Sequence, residues 1–505
     1  MSAALGSERI WRTSDWYVVR ARRDAVLLGG AALAIASAYA AAIVLTGGDP
    51  RLLVPPAAIL MVLAVCVHPV VGLYLVFGAA LLFEQFPIPG LTPLTSQAPI
   101  YQNLSQFTPI PLRLSLLDLL ILLTYASWFA RRLAGERLGA RMGPFGWPVL
   151  LYLSVFAVGM VIGAARGGAW DPVVALNEIR EPAHVCLMYF LAANLVRDRT
   201  QLTAVLAVFM ALVGVKALQG VGNYGESLKL AYDLDAVTSH EDVVFFDVAI
   251  GLAVVAALLG IRTKLAYALF ALQPVILGAE LFTERRVAFI ALGTIAFAIT
   301  LLALAGTPRR GLVFATVGAL LLGAYIVVFG QDTGALGQPI RALRSVIDPS
   351  EVGARDQLSG AWREIENRNI EYTMHQLPLT GVGLGQQYIF REEPPPLWGF
   401  TYWRYETHNA VLWLWLKAGP LGGFALWFLV ARVLVLGSRW HVRLADPWLR
   451  WAAALPVLLV LTQFVFSSVE LGLTYSRTMI TLGTVLGLGA VIGDLGSLRP
   501  VSRER

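Results

Sequence analysis

Long apolar stretches separated by short polar segments recur along most of the chain. A helix needs roughly 20 apolar residues to cross about 30 Å of hydrocarbon. The pattern predicts fourteen transmembrane helices, at 25–46, 52–67, 69–86, 114–131, 146–165, 179–196, 201–219, 243–260, 264–282, 287–306, 311–330, 409–437, 449–468 and 471–493. We therefore expect an all-α polytopic membrane protein in which residues 1–505 form a single transmembrane domain.

Two of these stretches have an alternative interpretation. The first, 25–46, follows a basic segment as a signal peptide does, but it is longer than the 7–15 apolar residues of a signal core. We therefore interpret it as an uncleaved helix. Spans two and three, which meet at His68-Pro69, alternatively form a re-entrant pair, so the count lies between twelve and fourteen.

Composition agrees with a membrane protein. Hydrophobic residues make up 57% of the chain and charged residues 14%, with a mean hydropathy of +0.67, whereas a soluble domain has roughly 25% charged residues. The net charge of +6 is spread in small clusters between apolar spans rather than on one patch, which argues against nucleic-acid binding. Cys66 and Cys186 both lie in apolar spans, so they offer neither a disulfide framework nor a thiolate metal site.

The distribution of Lys and Arg predicts the orientation, since short cytoplasmic loops carry an excess of basic residues. One alternating assignment places nearly every basic cluster inside, and the pair Arg285-Arg286 is the exception. Both termini are then cytoplasmic. The longest polar segment, 331–408, becomes a large extracytoplasmic loop with a short amphipathic helix near 352–376.

Three outer-side groups are candidates for chemistry. Arg285 and Arg286 lie between two spans, where they either snorkel to the interface or bind an anion through their guanidinium forks. Arg363 lies on the predicted loop helix, which is otherwise an ordinary solvated charged helix. His408 lies where the loop re-enters the membrane; a histidine there is either a structural hydrogen-bonding group or a general base.

The loop resembles the O-antigen ligase and polymerase superfamily. These enzymes typically have an Arg, a Pro-Leu-x-Gly-x-Gly turn and a His-Asn pair that opens a helix. The corresponding residues here are Arg363, the turn Pro378-Leu379-Thr380-Gly381-Val382-Gly383-Leu384-Gly385, His408-Asn409, and the later Gly419 and Gly422. Arg286-Val287-Ala288-Phe289 is similar to the family's Ser-Arg-Gly-Ala segment, although Arg285 replaces the small hydroxyl residue and Val287 the glycine.

The resemblance implies a metal-independent glycosyltransferase of the bacterial inner membrane, without a cofactor. Its donor would be a glycan on a polyprenyl diphosphate such as undecaprenyl diphosphate, and its acceptor a glycan or lipid hydroxyl at the outer face. It would act as an O-antigen or exopolysaccharide ligase or polymerase. We expect His408 to be the catalytic base, Arg285, Arg286 and Arg363 to bind the diphosphate, and Asn409, Trp403 and Tyr402 to contact the acceptor or glycan.

Two other functions remain open. Asp233 and Asp235 have a spacing that suits Mg²⁺ or Mn²⁺ in a metal-dependent transferase, with His240, Glu241 or Asp242 as further ligands. A polysaccharide or lipid-linked-sugar transporter would place ionisable residues near the midplane of the bilayer, as Lys216, Lys417 and the segment 177–181 allow. The aromatic residues Tyr402 and Trp403 alternatively form an interfacial belt.

Overall fold

A computed structural model describes most of the chain as helix. The described residues are 30, 37–47, 54–88, 90–107, 113–136, 140–229, 236–283, 285–332, 334–347, 354–396 and 401–496. Within them the strand pairing is limited to one isolated bridge between Asn103 and Ser115. The chain forms two compact units, Met1–Val67 and His68–Arg505.

Most helix bounds lie within about six residues of the predicted spans, but the spans predicted at 179–196 and 201–219 are longer, at 172–195 and 199–227. Residues 25–29 and 31–36 of the first predicted span lie outside the described residues. The first unit contains a helical stretch at 37–45 and helix α1 (Val54–Val67). The second unit contains α2 (Pro69–Leu82), α3 (Leu116–Leu133), α4 (Gly146–Arg166), α5 (Pro172–Leu195), α6 (Arg199–Ser227), α7 (Asp242–Leu259), α8 (Lys264–Phe282), α9 (Arg286–Gly306), α10 (Pro308–Phe329), α11 (Gln338–Ile347), α12 (Ala354–Gln376), α13 (Ala410–Arg443), α14 (Pro447–Ser467) and α15 (Ser476–Leu495).

Nine of the described helices are long and apolar enough to cross a membrane: α4, α6, α7, α8, α9, α10, α13, α14 and α15. Helices α1 and α2 have 14 residues each, about 21 Å at 1.5 Å per residue, which is shorter than the hydrocarbon core. Helices α3 and α5 contain several charged residues, including Asp118 and Glu178. The fold is therefore an all-helical multi-pass membrane protein, and the count of fourteen spans stays a prediction.

Small residues let the helices of the second unit pack closely. A Cβ added at Gly483 of α15 would lie 2.5 Å from the backbone O of Val185 on α5, and one at Gly487 would lie 2.5 Å from the O of Tyr189. Glycine at such positions allows two helix backbones to approach directly. This close packing fixes the position of α15 along the axis of α5. It thereby also fixes the position of the α14–α15 turn.

The glycine-rich turn 378–385 anchors the long segment between α10 and α13. Its backbone N–H groups donate to neighbouring helices: Val382 to Leu416 O at 2.8 Å, and Leu384 to Gly159 O at 2.9 Å. Gly383 has a φ of +89°, a conformation that side-chain-bearing residues rarely adopt. The turn packs where α13 is interrupted at Gly419, which has non-helical backbone angles. The segment ahead of α13, which includes His408, is thus held against the helix bundle.

Candidate active site

Four side chains from distant parts of the chain form a cluster that we call the cation cluster: Arg285, His240, Glu470 and Arg363. Arg285 immediately precedes α9 and donates from Nη2 to Nε2 of His240. The Nδ1 of the same ring lies 3.9 Å from Oε2 of Glu470 in the α14–α15 turn. Arg363 of α12 donates from Nη2 to Oε1 of Glu470 at 2.9 Å. Two guanidinium groups therefore flank one carboxylate.

Glu470 is ionised in this cluster. Burial alone would raise the pKa of its carboxyl, but His240, Arg363 and Arg285 outweigh burial and hold the pKa well below its ordinary value. Nε2 of His240 accepts a hydrogen bond from the Arg285 guanidinium. With two guanidinium groups against one carboxylate, the cluster keeps an excess of positive charge. Such a cluster suits an anion with several oxygens, such as a diphosphate.

His408 contacts the helix that carries Arg363 and is oriented by a buried carboxylate of that helix. Its backbone N donates to Oε2 of Glu366 at 3.0 Å, and its Nδ1 lies 3.3 Å from Oε1 of the same residue. Glu366 is buried on α12, whereas His408 is partly exposed. When Nδ1 carries the proton and forms a hydrogen bond to Glu366, Nε2 of the neutral ring is free to accept a proton.

Helix α12 contacts His408 and carries Arg363. Trp362 packs edge-on against the His408 ring, with a centroid distance of 5.1 Å, and its neighbour Arg363 reaches Glu470. Glu366 is one turn further along the same helix. One rigid element therefore supplies a cation, the carboxylate that contacts His408 and an aromatic wall. Sites built on helices hold their geometry better than sites built on loops.

A comparison with protein families now bears on this geometry. Residues 274–428 match the family model described as O-antigen ligase. These residues form a region similar to O-antigen ligases, which we call the ligase-like domain. The resemblance to the O-antigen ligase and polymerase superfamily is thereby confirmed, and it supports a membrane protein of the glycan-transferring ligase and polymerase type. A search of curated proteins found no match to the chain.

The ligase-like domain contains most of the candidate residues. Arg285, Arg286, Arg363 and His408 lie within 274–428, whereas His240 and Glu470 lie outside it. Arg286 is the first residue of α9, directly after Arg285. The segments on either side of the domain thus contribute to the cation cluster.

The residues expected to contact the acceptor have partners within the protein. Asn409 caps α13, and its Oδ1 accepts from Leu412 N at 3.0 Å. The Tyr402 hydroxyl accepts from Asn177 Nδ2 at 2.6 Å. Trp403 stacks on Phe390 at 5.7 Å and lies under the Arg404 guanidinium. These contacts position the segment ahead of His408, and a role in acceptor binding stays a prediction.

The ionisable residues behind the alternative functions lie in buried ion pairs. Lys417 Nζ lies 2.7 Å from Glu178 Oε1, and Lys216 pairs with Glu84 and Asp242. Arg477 donates to Asp242 Oδ1 at 2.6 Å and lies 3.6 Å from Glu241 Oε2. Asp242 and Glu241 thus face cations. Asp233 and Asp235 lie outside the described residues.

Sequence reasoning missed Glu470 and assigned His240 to a different site. Glu470 was detectable in principle, because it is an ionisable residue in a short turn between two apolar spans. Its partners, however, lie 107 residues away at Arg363 and further still at His240. Only the folding of four separate segments of the chain brings them together. His240 stands beside two acidic residues in the sequence, which favoured a metal-site interpretation.

Proposed function

We propose that the chain is a metal-independent glycosyltransferase of the bacterial inner membrane. It moves a glycan from a polyprenyl diphosphate to an acceptor hydroxyl, with the segment 331–408 on the extracytoplasmic face. The observation that carries this proposal is the convergence of Arg285 and Arg363 on Glu470 next to the His408–Glu366 pair. The O-antigen ligase match supports the same type of reaction.

The cations act on the leaving group. As the bond between the sugar C1 and the phosphate oxygen breaks, its electron pair moves to the diphosphate, which gains negative charge. Arg363 and Arg285, with Arg286 beside them, stabilise this charge through fixed guanidinium donors in a partly water-excluded site. A planar guanidinium binds two phosphate oxygens at once, which an ammonium group does not.

His408 acts on the nucleophile. The acceptor oxygen forms the new bond to C1, and its proton passes to Nε2 of His408. Glu366 accepts from Nδ1 and stabilises the imidazolium that results. The diphosphate leaves as an anion held by the arginines. The atoms and electrons of this transfer balance with the donor, the acceptor and His408 alone.

Loss of the base tests the proposal. His408→Ala is expected to lower the rate of glycan transfer by about 10²–10⁴ while donor binding is kept, because a general base acts on chemistry more than on binding. His375→Ala is the matched control, since His375 is an exposed histidine on α12. Purified proteins are compared for transfer, donor binding and melting temperature. A well-folded His408→Ala protein with wild-type transfer contradicts the base role.

The metal-dependent alternative has its own experiment. Wild-type protein is assayed in excess EDTA, where the proposal predicts unchanged transfer. Complete loss of transfer that Mg²⁺ or Mn²⁺ restores contradicts metal independence and favours a site at Asp233 and Asp235.

A further inference from the structure

A cavity of about 200 Å³ lies beside the cation cluster, on the side of His240. Its walls come from the α2–α3 connection, the segment ahead of α7 and the α14–α15 turn. They include the apolar residues Phe86, Pro87, Ile88, Ala236 and Leu471, together with Thr238, Ser239, His240, Glu241 and Tyr475. Cavities of about 150 Å³ admit benzene, so this one has room for a single substituted six-membered ring.

Three lining residues have buried polar atoms that lack hydrogen-bond partners within the described part of the chain. These atoms are Oγ1 of Thr238, Nδ1 of His240 and Oε1 of Glu241. Thr238 and Glu241 are each 2% exposed. The other Glu241 oxygen faces Arg477, so only one side of that carboxylate is used by the protein. Buried polar groups are costly without partners, and these three suit a ligand that carries several hydroxyl groups.

The cavity is also lined by aromatic and aliphatic side chains. Phe86 and Tyr475 pack edge to face with a centroid distance of 5.5 Å, and Leu471 lies beside them. A sugar ring combines hydroxyl groups with apolar C–H faces. A cavity lined by both unpartnered polar atoms and apolar side chains matches this combination.

We propose that this cavity binds the sugar ring that is attached directly to the diphosphate of the donor. His240 connects the two sites, because it lines the cavity and also accepts from Arg285 in the cation cluster. A sugar in the cavity is therefore one side chain away from the diphosphate. This inference rests on the proposed function, in which the cation cluster binds that diphosphate.

Two cavity variants test the subsite. Thr238→Val removes the hydroxyl with little change of volume, and Ala236→Leu fills the cavity. Thr462→Val is the matched control, because Thr462 is also buried with Oγ1 unpartnered among the described residues, but it lies within α14. The probes are bare undecaprenyl diphosphate and undecaprenyl diphosphates that each carry one hexose or N-acetylhexosamine. Binding is measured on the full chain in nanodiscs, with melting temperatures as a check of folding.

The wild-type protein is expected to bind at least one sugar-bearing probe more tightly than the bare lipid. Thr238→Val should reduce this preference about fivefold, the effect of one hydrogen bond, and Ala236→Leu should abolish it. Both should bind the bare lipid as the wild type does, and Thr462→Val should change neither quantity. The sugar subsite is contradicted if the wild type binds sugar-bearing and bare lipids equally well, or if both cavity variants keep the wild-type preference. In either case the proposed diphosphate site is unaffected. Failure of the wild type to bind the bare lipid contradicts the proposed diphosphate site, and the subsite with it.

Discussion

Glu366 shows how a single buried residue defines the candidate site. It lies on the buried face of α12 together with Asn369, Ile370 and Thr373. Three of these four residues are polar, so a hydrophobic pattern does not identify the face. The cost of burying the Glu366 carboxylate is compensated by its hydrogen bonds with the backbone N–H and the ring of His408. A buried carboxylate needs such partners.

Glu366→Gln tests the positioning role of this carboxylate. The amide has one oxygen where the carboxylate has two, and it does not stabilise an imidazolium as a charge does. We expect kcat to fall about ten- to hundredfold, the value of a charged hydrogen bond, with KM for the donor little changed. Glu364→Gln on the exposed face of α12 serves as the control. A fall in melting temperature with normal kcat per folded molecule would instead indicate a purely structural role.

Arg285→Lys and Arg363→Lys test the diphosphate role. Lysine keeps the charge but loses the planar fork, so each variant should raise KM for the donor by roughly tenfold or more. Arg368→Lys is the control, since Arg368 forms exposed ion pairs with Glu364 and Glu392 on the same helix. Steady-state kinetics with the lipid-linked donor measure the effect. Wild-type KM in both variants would exclude this role.

The sequence was informative about residues that act through a local motif. Arg363, Arg286 and His408 were identified from their spacing to a glycine turn and a helix start. Such spacing can be read directly from the amino-acid sequence. Glu470 and His240 were not assigned to this site, because their contacts depend on the packing of four separate segments. The free polar atoms of Thr238 and Glu241 are likewise a property of the folded chain.

At the scale of elements, the glycine turn is a packing device as well as a family motif. A Cβ added at Gly383 would lie 2.3 Å from the backbone N of Gly163 on α4, and one at Gly381 would lie 2.4 Å from Leu416 O on α13. Arg166 donates to the carbonyl oxygens of Gly381 and Val382 from the end of α4. The turn therefore joins α4 to α13.

Gly383→Ala should destabilise the protein. The added methyl group meets backbone atoms that cannot move aside, and the positive φ is unfavourable for alanine, so we expect a loss of about 1–3 kcal/mol. Gly360→Ala is the control, because a Cβ at Gly360 on α12 meets no atom within 4 Å. Melting temperatures in one detergent measure both. An unchanged melting temperature for Gly383→Ala would contradict the tight packing of this turn.

Helix positions were easier to predict than helix roles. The loop helix expected near 352–376 is α12, Ala354–Gln376. The expected span 179–196 begins earlier, at Pro172, since Asp171 caps α5 through its side chain. The charged residues near the start of α5 had placed the predicted boundary too late. Their ion pairs with other helices allow the helix to include them.

For the whole molecule, the orientation in the membrane is the main open expectation. It rests on the distribution of basic residues, which predicts that 331–408 and the connection after α3 face opposite sides. In a chain without Cys66 and Cys186, Glu371→Cys should react with an impermeant thiol reagent in intact cells. Glu136→Cys should react only after permeabilisation. Both side chains are well exposed, and the reverse pattern would contradict the orientation.

The most direct test of the proposed active site is a density map of the full chain with a bound polyprenyl-diphosphate glycan. We expect the diphosphate to lie between Arg285 and Arg363 near Glu470, and Nε2 of His408 to face the acceptor side of the sugar C1. A diphosphate bound away from both arginines, for example through a metal ion at Asp233 and Asp235, would contradict it.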